Sequence, residues 1–140
     1  MACNTAHLLL PELEARLGKQ FLSLISTTVA NLKAKQVRCI GILASPTTIK
    51  TKLYESALGT VGIACKLPTA KEQQRIEEVI RGVIAGKVST SKLEPIMQRL
   101  RAEGATHLLL GCTELSVAFA HSDDTSLLDP LGIITEQLLT

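Results

Sequence analysis

An α/β fold built on a parallel sheet is what this sequence predicts, and two observations carry it. Short β-branched or leucine runs alternate along the chain with longer segments of 3.6-residue apolar spacing, the mark of strands joined by helical crossovers. Two of the runs, VRCIGIL at Val37–Leu43 and THLLLG at Thr106–Gly111, are almost continuously apolar, as strands covered by helices on both faces must be.

Taken in order, FLSLI at Phe21–Ile25 alternates around Ser23 and reads as a strand, and Thr27–Lys35 carries helical spacing. After the strand at Val37–Leu43, Thr48–Leu58 reads as one helix with Gly59 as its stop. VGIACKL at Val61–Leu67 is a strand ended by Pro68. The helix Ala70–Ala85 follows, placing Ile76, Val79, Ile80, Val83 and Ile84 on one face and charges on the other. Ser91–Glu103 is a helix closed by Gly104 and leads into the strand Thr106–Gly111. Ser126–Asp129 is a short strand halted by Pro130, and Leu131–Leu139 is a final helix. No linker, low-complexity tract or charge run divides these elements.

Composition narrows the function. At 140 residues the chain is long enough for one core, and 46% hydrophobic with 20% charged residues argues against disorder. A net charge of +2 without a basic stripe, and only 2% aromatic residues, leaves neither a phosphate-neutralising face nor stacking platforms, so nucleic acid is not an expected partner. No apolar run approaches the roughly 20 residues a membrane span requires, and MACNTAHLLLPELEA lacks the basic start of a secretory signal. Cysteines at 3, 39, 65 and 112 are too few and too scattered for a disulfide scaffold or a zinc site, so free thiols in a reducing cytoplasm are expected. Neither a metal-spaced ligand set nor a glycine-rich phosphate cradle is present, and no cofactor is expected.

Two of the cysteines sit where α/β enzymes keep their working groups. Cys112, in Leu-Leu-Gly-Cys-Thr-Glu-Leu, follows a strand and opens a helix, and Cys3, in Met-Ala-Cys-Asn-Thr-Ala-His, has a similar turn-like context. Helix-terminal N–H groups are expected to favour their thiolates, whereas Cys39 and Cys65, being mid-strand, read as small buried hydrophobes. The hydroxyl-rich loop Ala44-Ser45-Pro46-Thr47-Thr48 after the strand at Val37–Leu43 is a candidate anion site. Its plainer role is N-capping by Thr47. His7, four residues after Cys3, either orients its thiol or simply packs. Glu114 either tunes Cys112, binds a substrate ammonium or complements a helix dipole. Lys87 is a candidate for a substrate's side-chain carboxylate, or is solvated. His107 and His121 receive no role.

CNTAH and the later GCTEL, with GILASPTTIKTKLYESAL between them, resemble the aspartate/glutamate racemase family of cofactor-independent amino-acid racemases. Pro68–Gln73 (P-T-x-x-E-Q) and Leu128–Pro130 (L-D-P) extend the likeness over nearly the whole chain. The resemblance implies that Cys3 and Cys112 flank a substrate α-carbon as paired acid and base. It also implies that Asn4, Thr5 and Thr113 hold the α-carboxylate and amino group, and that Ser45, Thr47 and Thr48 line the same cleft. Tyr54 matches a tyrosine of the family segment and is expected to be structural. Inverting a stereocentre by proton transfer needs a base on one face and an acid on the other, and donors for the charge that builds on the carboxylate, which is the chemistry such a set can supply.

Against the family, the chain lacks a stretch before CNTAH that holds a glycine-rich strand–turn and an arginine for the distal carboxylate, so an N-terminally truncated member is expected. The expected architecture is then a near-complete three-layer domain over residues 21–110, with residues 1–20 and 111–140 as remnants of a second, pseudo-symmetric domain. The function expected is racemisation of aspartate or glutamate. A decarboxylase or isomerase of small dicarboxylates on the same cysteines, or a non-catalytic remnant that binds a carboxylate or partner chain, are the rival readings. Cys3, near a chain end, is expected to be poorly held, and a homo-oligomer is expected to bury Leu8, Leu9, Leu10, Leu138 and Leu139.

Overall fold

The computed structural model describes every residue from Met1 to Thr140. Its centre is a four-stranded, wholly parallel sheet of order β2-β1-β3-β4, formed by β1 (Cys39–Ala44), β2 (Ala64–Lys66), β3 (His107–Gly111) and β4 (Leu127–Leu128). The chain leaves β1 toward one edge to make β2, and reaches β3 and β4 on the other side. β1 and β3 therefore flank the point where the winding reverses, and in open α/β sheets the crevice beyond the strand ends at that point is where ligands bind.

The two central strands sort their side chains by the pleat. Ile40, Ile42, Ala44 and Leu109 join one core with Leu32 and Val29 of α2 (Leu24–Ala34) and Leu58 of α4 (Leu53–Gly59). Leu43, Leu108 and Leu110 join the other with Ile76 and Ile80 of α5 (Ala70–Ile84) and Ile96 and Leu100 of α6 (Glu94–Ala102). Two cores, one per face, make the expected three layers. Gly41 lets α6 close on the sheet, since a Cβ there would stand 3.2 Å from Leu100 Cβ of α6 and 2.6 Å from Leu108 Cδ2 of the neighbouring strand.

Local chemistry sets the helix ends. Thr69 and Glu72 form a reciprocal capping box that starts α5. Asp129 Oδ1 accepts from Leu131 N at 2.9 Å to cap α8 (Pro130–Leu139), and from Ser116 Oγ at 2.7 Å, tying α8 to α7 (Thr113–Ala118). Residues 111–140 thus add β4 and α8 to the same sheet and the same layers, and α8 packs on α2. At the other end a 3₁₀ turn, Thr5–Leu9, runs into α1 (Leu10–Leu17), which buries none of its residues.

Three expectations are corrected. Phe21–Ile25 is not a strand: Ser23 Oγ accepts from Ser26 N and opens α2. Leu24, Ile25, Thr28, Val29 and Leu32, all buried, follow helical spacing that begins there. Thr48–Leu58 is not one helix but two, α3 (Pro46–Lys50) and α4. Thr51 Oγ1 donates to Thr47 O at 2.8 Å, and Lys52 turns left-handed at φ 53° between them. Strands expected at Val61–Leu67 and Ser126–Asp129 shrink to three and two paired residues, because both lie at sheet edges where only one neighbour holds them. No helix is long and apolar enough to cross a membrane.

Candidate active site

Ala44 and Gly111, the last residues of β1 and β3, are register partners, so the residues that follow them, Ser45 and Cys112, emerge side by side at the carboxyl edge of the sheet. That juxtaposition fixes the floor of a cleft of about 290 Å³ lined by Cys3, Asn4, Thr5, Ser45, Thr47, Gly111, Cys112, Thr113 and Glu114, with Ile80 of α5 as an apolar wall. Gly111 is required by close approach, since a Cβ there would meet Ala44 Cβ at 2.8 Å.

Both candidate thiols line this one cleft, in different surroundings. Cys3 is exposed, whereas Cys112 is buried at the N-cap of α7 and packs with Leu110 and Leu115. The Cys112 thiol donates to Glu114 Oε2 at 2.8 Å, and Thr113 Oγ1 donates to the same oxygen at 3.0 Å. Burial first, and the Glu114 carboxylate second, push the Cys112 thiol up to about 12. The backbone N–H groups of Glu114 and Leu115 pull the other way and are outweighed. The expected thiolate at this helix start is therefore corrected: Cys112 is held as a thiol. Glu114 in turn is lowered, chiefly by the bond it accepts from Cys112.

Cys3 is held through its backbone. His7, 7% exposed, accepts Leu24 N–H at Nε2 (2.9 Å), which leaves the ring proton on Nδ1 to donate to Cys3 O (2.8 Å). Leu24 opens α2, so one imidazole satisfies an otherwise orphaned helix N–H and pins the Cys3 carbonyl to that helix. Met1 N donates to Leu22 O nearby at 2.9 Å. The expectation of a poorly held Cys3 gives way to this clamp, and His7 orients the cysteine's main chain rather than its sulfur.

The hydroxyl loop divides its labour. Ser45, not the expected Thr47, caps α3, its Oγ accepting Thr48 N at 3.3 Å. Thr47 lines the cleft, whereas Thr48 sits behind the wall, 2% exposed, with its Oγ1 3.0 Å from Ser45 Oγ and 3.5 Å from Thr5 Oγ1. Thr48 therefore couples the two sides of the cleft without facing it. Lys87 is placed elsewhere: Gly86 turns the chain out of α5 at φ +74°, and Lys87 is exposed and lines none of the cleft. Cys65 is half-buried, and burial raises its thiol to about 11, in keeping with an inert edge-strand residue.

Two side chains of the quoted motifs, Tyr54, expected to be structural, and Gln73, given no role of its own, support the cleft from behind its wall. Tyr54, 1% exposed, donates its hydroxyl to Asn4 Oδ1, and Gln73 Nε2 donates to Ala44 O at 2.9 Å. A lone tyrosine within an otherwise aliphatic core was the available signal, since a buried phenol needs a partner. No three His, Cys, Asp or Glu side chains are grouped as a metal site would require.

A family model described as Asp/Glu/hydantoin racemase matches residues 1–138. An uncharacterized protein in the pnlA 3′ region of Pectobacterium carotovorum subsp. carotovorum is 29% identical over 117 residues, 82% of this chain and 78% of that protein. A glutamate racemase of Shewanella pealeana is 26% identical over 84% of this chain but only 44% of its own length. The aspartate racemase of Picrophilus torridus shares the fold with a TM-score of 0.77 at 25% identity, over 97% of this chain and 60% of that one. The chain thus spans less than two thirds of either racemase.

Proposed function

The chain belongs to the Asp/Glu/hydantoin racemase family, and from that membership we propose that its cleft serves cofactor-independent inversion at the α-carbon of an acidic amino acid, aspartate or glutamate. The observation that carries the reading is that Cys3 and Cys112 line one cleft whose remaining polar side chains are the amide of Asn4, the hydroxyls of Thr5, Ser45, Thr47 and Thr113, and the carboxylate of Glu114, which accepts from Cys112 and Thr113. In this mechanism one cysteine removes the α-proton while the other protonates the opposite face. The Cys112–Glu114 bond supports Cys112 as the resting acid, its proton kept in place by the neighbouring carboxylate, which leaves Cys3 as the base in that direction. For the opposite enantiomer the roles exchange. Asn4, Thr5 and Thr113 supply donors as the α-carboxylate gains enolate character, which is the largest barrier the site has to lower.

The test is proton exchange. The purified chain is incubated with L- or D-aspartate, and separately with glutamate, in D2O, and α-proton loss is followed by NMR together with chiral analysis of the product. Racemisation should place solvent deuterium at the α-carbon of the product enantiomer. Cys112→Ala should lower the rate roughly 10²–10⁴-fold, the usual contribution of a general acid or base. Exchange that persists unchanged in Cys112→Ala, or loss of CO2 in place of inversion, would defeat the two-thiol reading.

A further inference from the structure

Asn4 is 3% exposed, lines the cleft, and has its side-chain oxygen engaged by the hydroxyl of Tyr54, which is itself 1% exposed on α4. We propose that Tyr54 is a positioning residue that sets the polarity of the cleft: by holding Asn4 Oδ1 it turns the amide N–H groups toward the bound molecule, so that this wall selects a carboxylate.

An asparagine amide has two orientations of nearly equal shape, one presenting two donors and the other an acceptor, and only its hydrogen-bond partners choose between them. Here the choice is made from behind the wall. The amide oxygen of Asn4 is the acceptor for Tyr54, and no protein group accepts from its nitrogen. An NH2 that opens onto the cleft and has no protein acceptor is free to donate to a bound molecule. Tyr54 is suited to hold one sense of the bond. Its ring packs in the core with Ile42, Leu58 and Leu109, Thr28 stands beside its hydroxyl, and burial pushes the phenol well above its ordinary range, so it stays protonated and able to donate. Its ring also lies near the position of Gly111, the residue before Cys112, which sets the amide-orienting group against the same floor that carries the buried thiol.

The inference rests on the acidic-amino-acid reading above for the choice of probe, not for the Tyr54–Asn4 bond itself. The experiment is isothermal titration of the full chain with L-aspartate and with its α-amide, which replaces the α-carboxylate by a group bearing its own N–H donors. The unaltered chain should prefer L-aspartate. Tyr54→Phe keeps the ring volume and releases the amide, and should weaken L-aspartate binding about ten- to a hundred-fold, the worth of a hydrogen bond to a charged group. It should also shrink the preference over the α-amide toward unity, which a general loss of stability would not do. Asn4→Asp retains an acceptor for Tyr54 but puts an anionic oxygen in the cleft. It should abolish L-aspartate binding, and adding Tyr54→Phe to it should change nothing further.

A ligand-free measurement accompanies these. Proton NMR of the unaltered chain should show a slowly exchanging Tyr54 hydroxyl proton. Absence of that resonance, or an L-aspartate preference unchanged within twofold in Tyr54→Phe, would overturn the proposal. A protected Tyr54 hydroxyl in a chain that binds neither probe would support the bond while refuting the acidic-amino-acid reading of the site.

Discussion

At the scale of single residues, the two site cysteines are made unlike by what lies next to them. Cys112 is buried against its own helix and donates a hydrogen bond to Glu114, while Cys3 is exposed and is governed through its carbonyl by His7. The opposition between helix-end N–H groups and a carboxylate is decided at Cys112 by burial, which penalises the thiolate more than a short six-residue helix can favour it. Glu114 adds to what burial does, so removing its charge should release part of that rise. In Glu114→Gln the pKa of Cys112 is expected to fall from about 12 toward the ordinary thiol value of 9.0, and the thiolate fraction at pH 8 should rise about tenfold for each unit recovered. Iodoacetamide labelling against pH, read for the Cys112 peptide by mass spectrometry, checks this. Labelling no faster than in the unaltered chain would show that burial alone sets the thiol. The Cys-Asn-Thr and Cys-Thr-Glu strings identified these residues in the sequence, but nothing in a string tells whether a neighbouring carboxylate will accept a thiol proton or point to water.

Among the elements, the parallel pairing of β1 with β3 aligns the loops that form the cleft, and α5 and α6 hold that pair from one side. Arg99 on α6 ties them together: Nε and a guanidinium nitrogen donate to both Glu72 oxygens at 2.7 and 2.6 Å, the same nitrogen reaches Leu67 O at 3.1 Å, and Glu103 pairs with the guanidinium as well. The Arg99 hydrogen bonds hold the Glu72 carboxyl down to about 2 from an ordinary 4.5. A depressed carboxylate contributes its stability above the unfolded value and loses it as the pH falls through the folded one. Arg99→Met should thus cost about 1.5–3 kcal/mol, as expected for charged hydrogen bonds, at pH 5 and above. The melting-temperature gap to the unaltered chain should close between pH 4.5 and about 2, the range spanned by the two values. A gap that stays constant to pH 2 would show that packing, not the ion pair, is what the substitution removes. The helices α5 and α8 were legible because their apolar spacing is local. The break at Lys52 was not, since it depends on Thr51 choosing a backbone carbonyl over solvent.

The molecule as a whole carries apolar surface that its own core does not use. Leu8, Leu9 and Leu17 are 46%, 56% and 56% exposed around α1, and Leu138 and Leu139 are 71% and 82% exposed at the end of α8. Exposed leucines at helix ends that no other element covers favour association, and the expected outcome is a homo-oligomer that buries them. Light scattering on a gel-filtration eluate at micromolar concentration should give a mass above 15.0 kDa. The pair Leu8→Glu and Leu9→Glu should shift the chain toward the monomer without lowering the melting temperature by more than a few degrees, as these side chains are outside both cores. A monomeric mass for the unaltered chain would remove the oligomer from the reading.

What the sequence determined by itself is whatever local chemistry can decide: the α/β class from alternating periods, the interior strands from apolar runs covered on both faces, the helices over Ala70–Ala85 and Leu131–Leu139 from their apolar spacing, and the two cysteines at their turns. The tertiary structure alone decided the rest. It started a helix at Leu24, inside the stretch expected as a strand, because Ile25, Val29 and Leu32 find one common core there. It moved Thr48 behind the cleft wall, turned Lys87 away from it, and recruited Tyr54 and His7 from outside the cleft lining to hold Asn4 and Cys3. The physical reason is the same in each case. A buried polar group must find its partner in space, and partners separated by 50 residues along the chain, as Tyr54 and Asn4 are, become neighbours only when the sheet has set their distance.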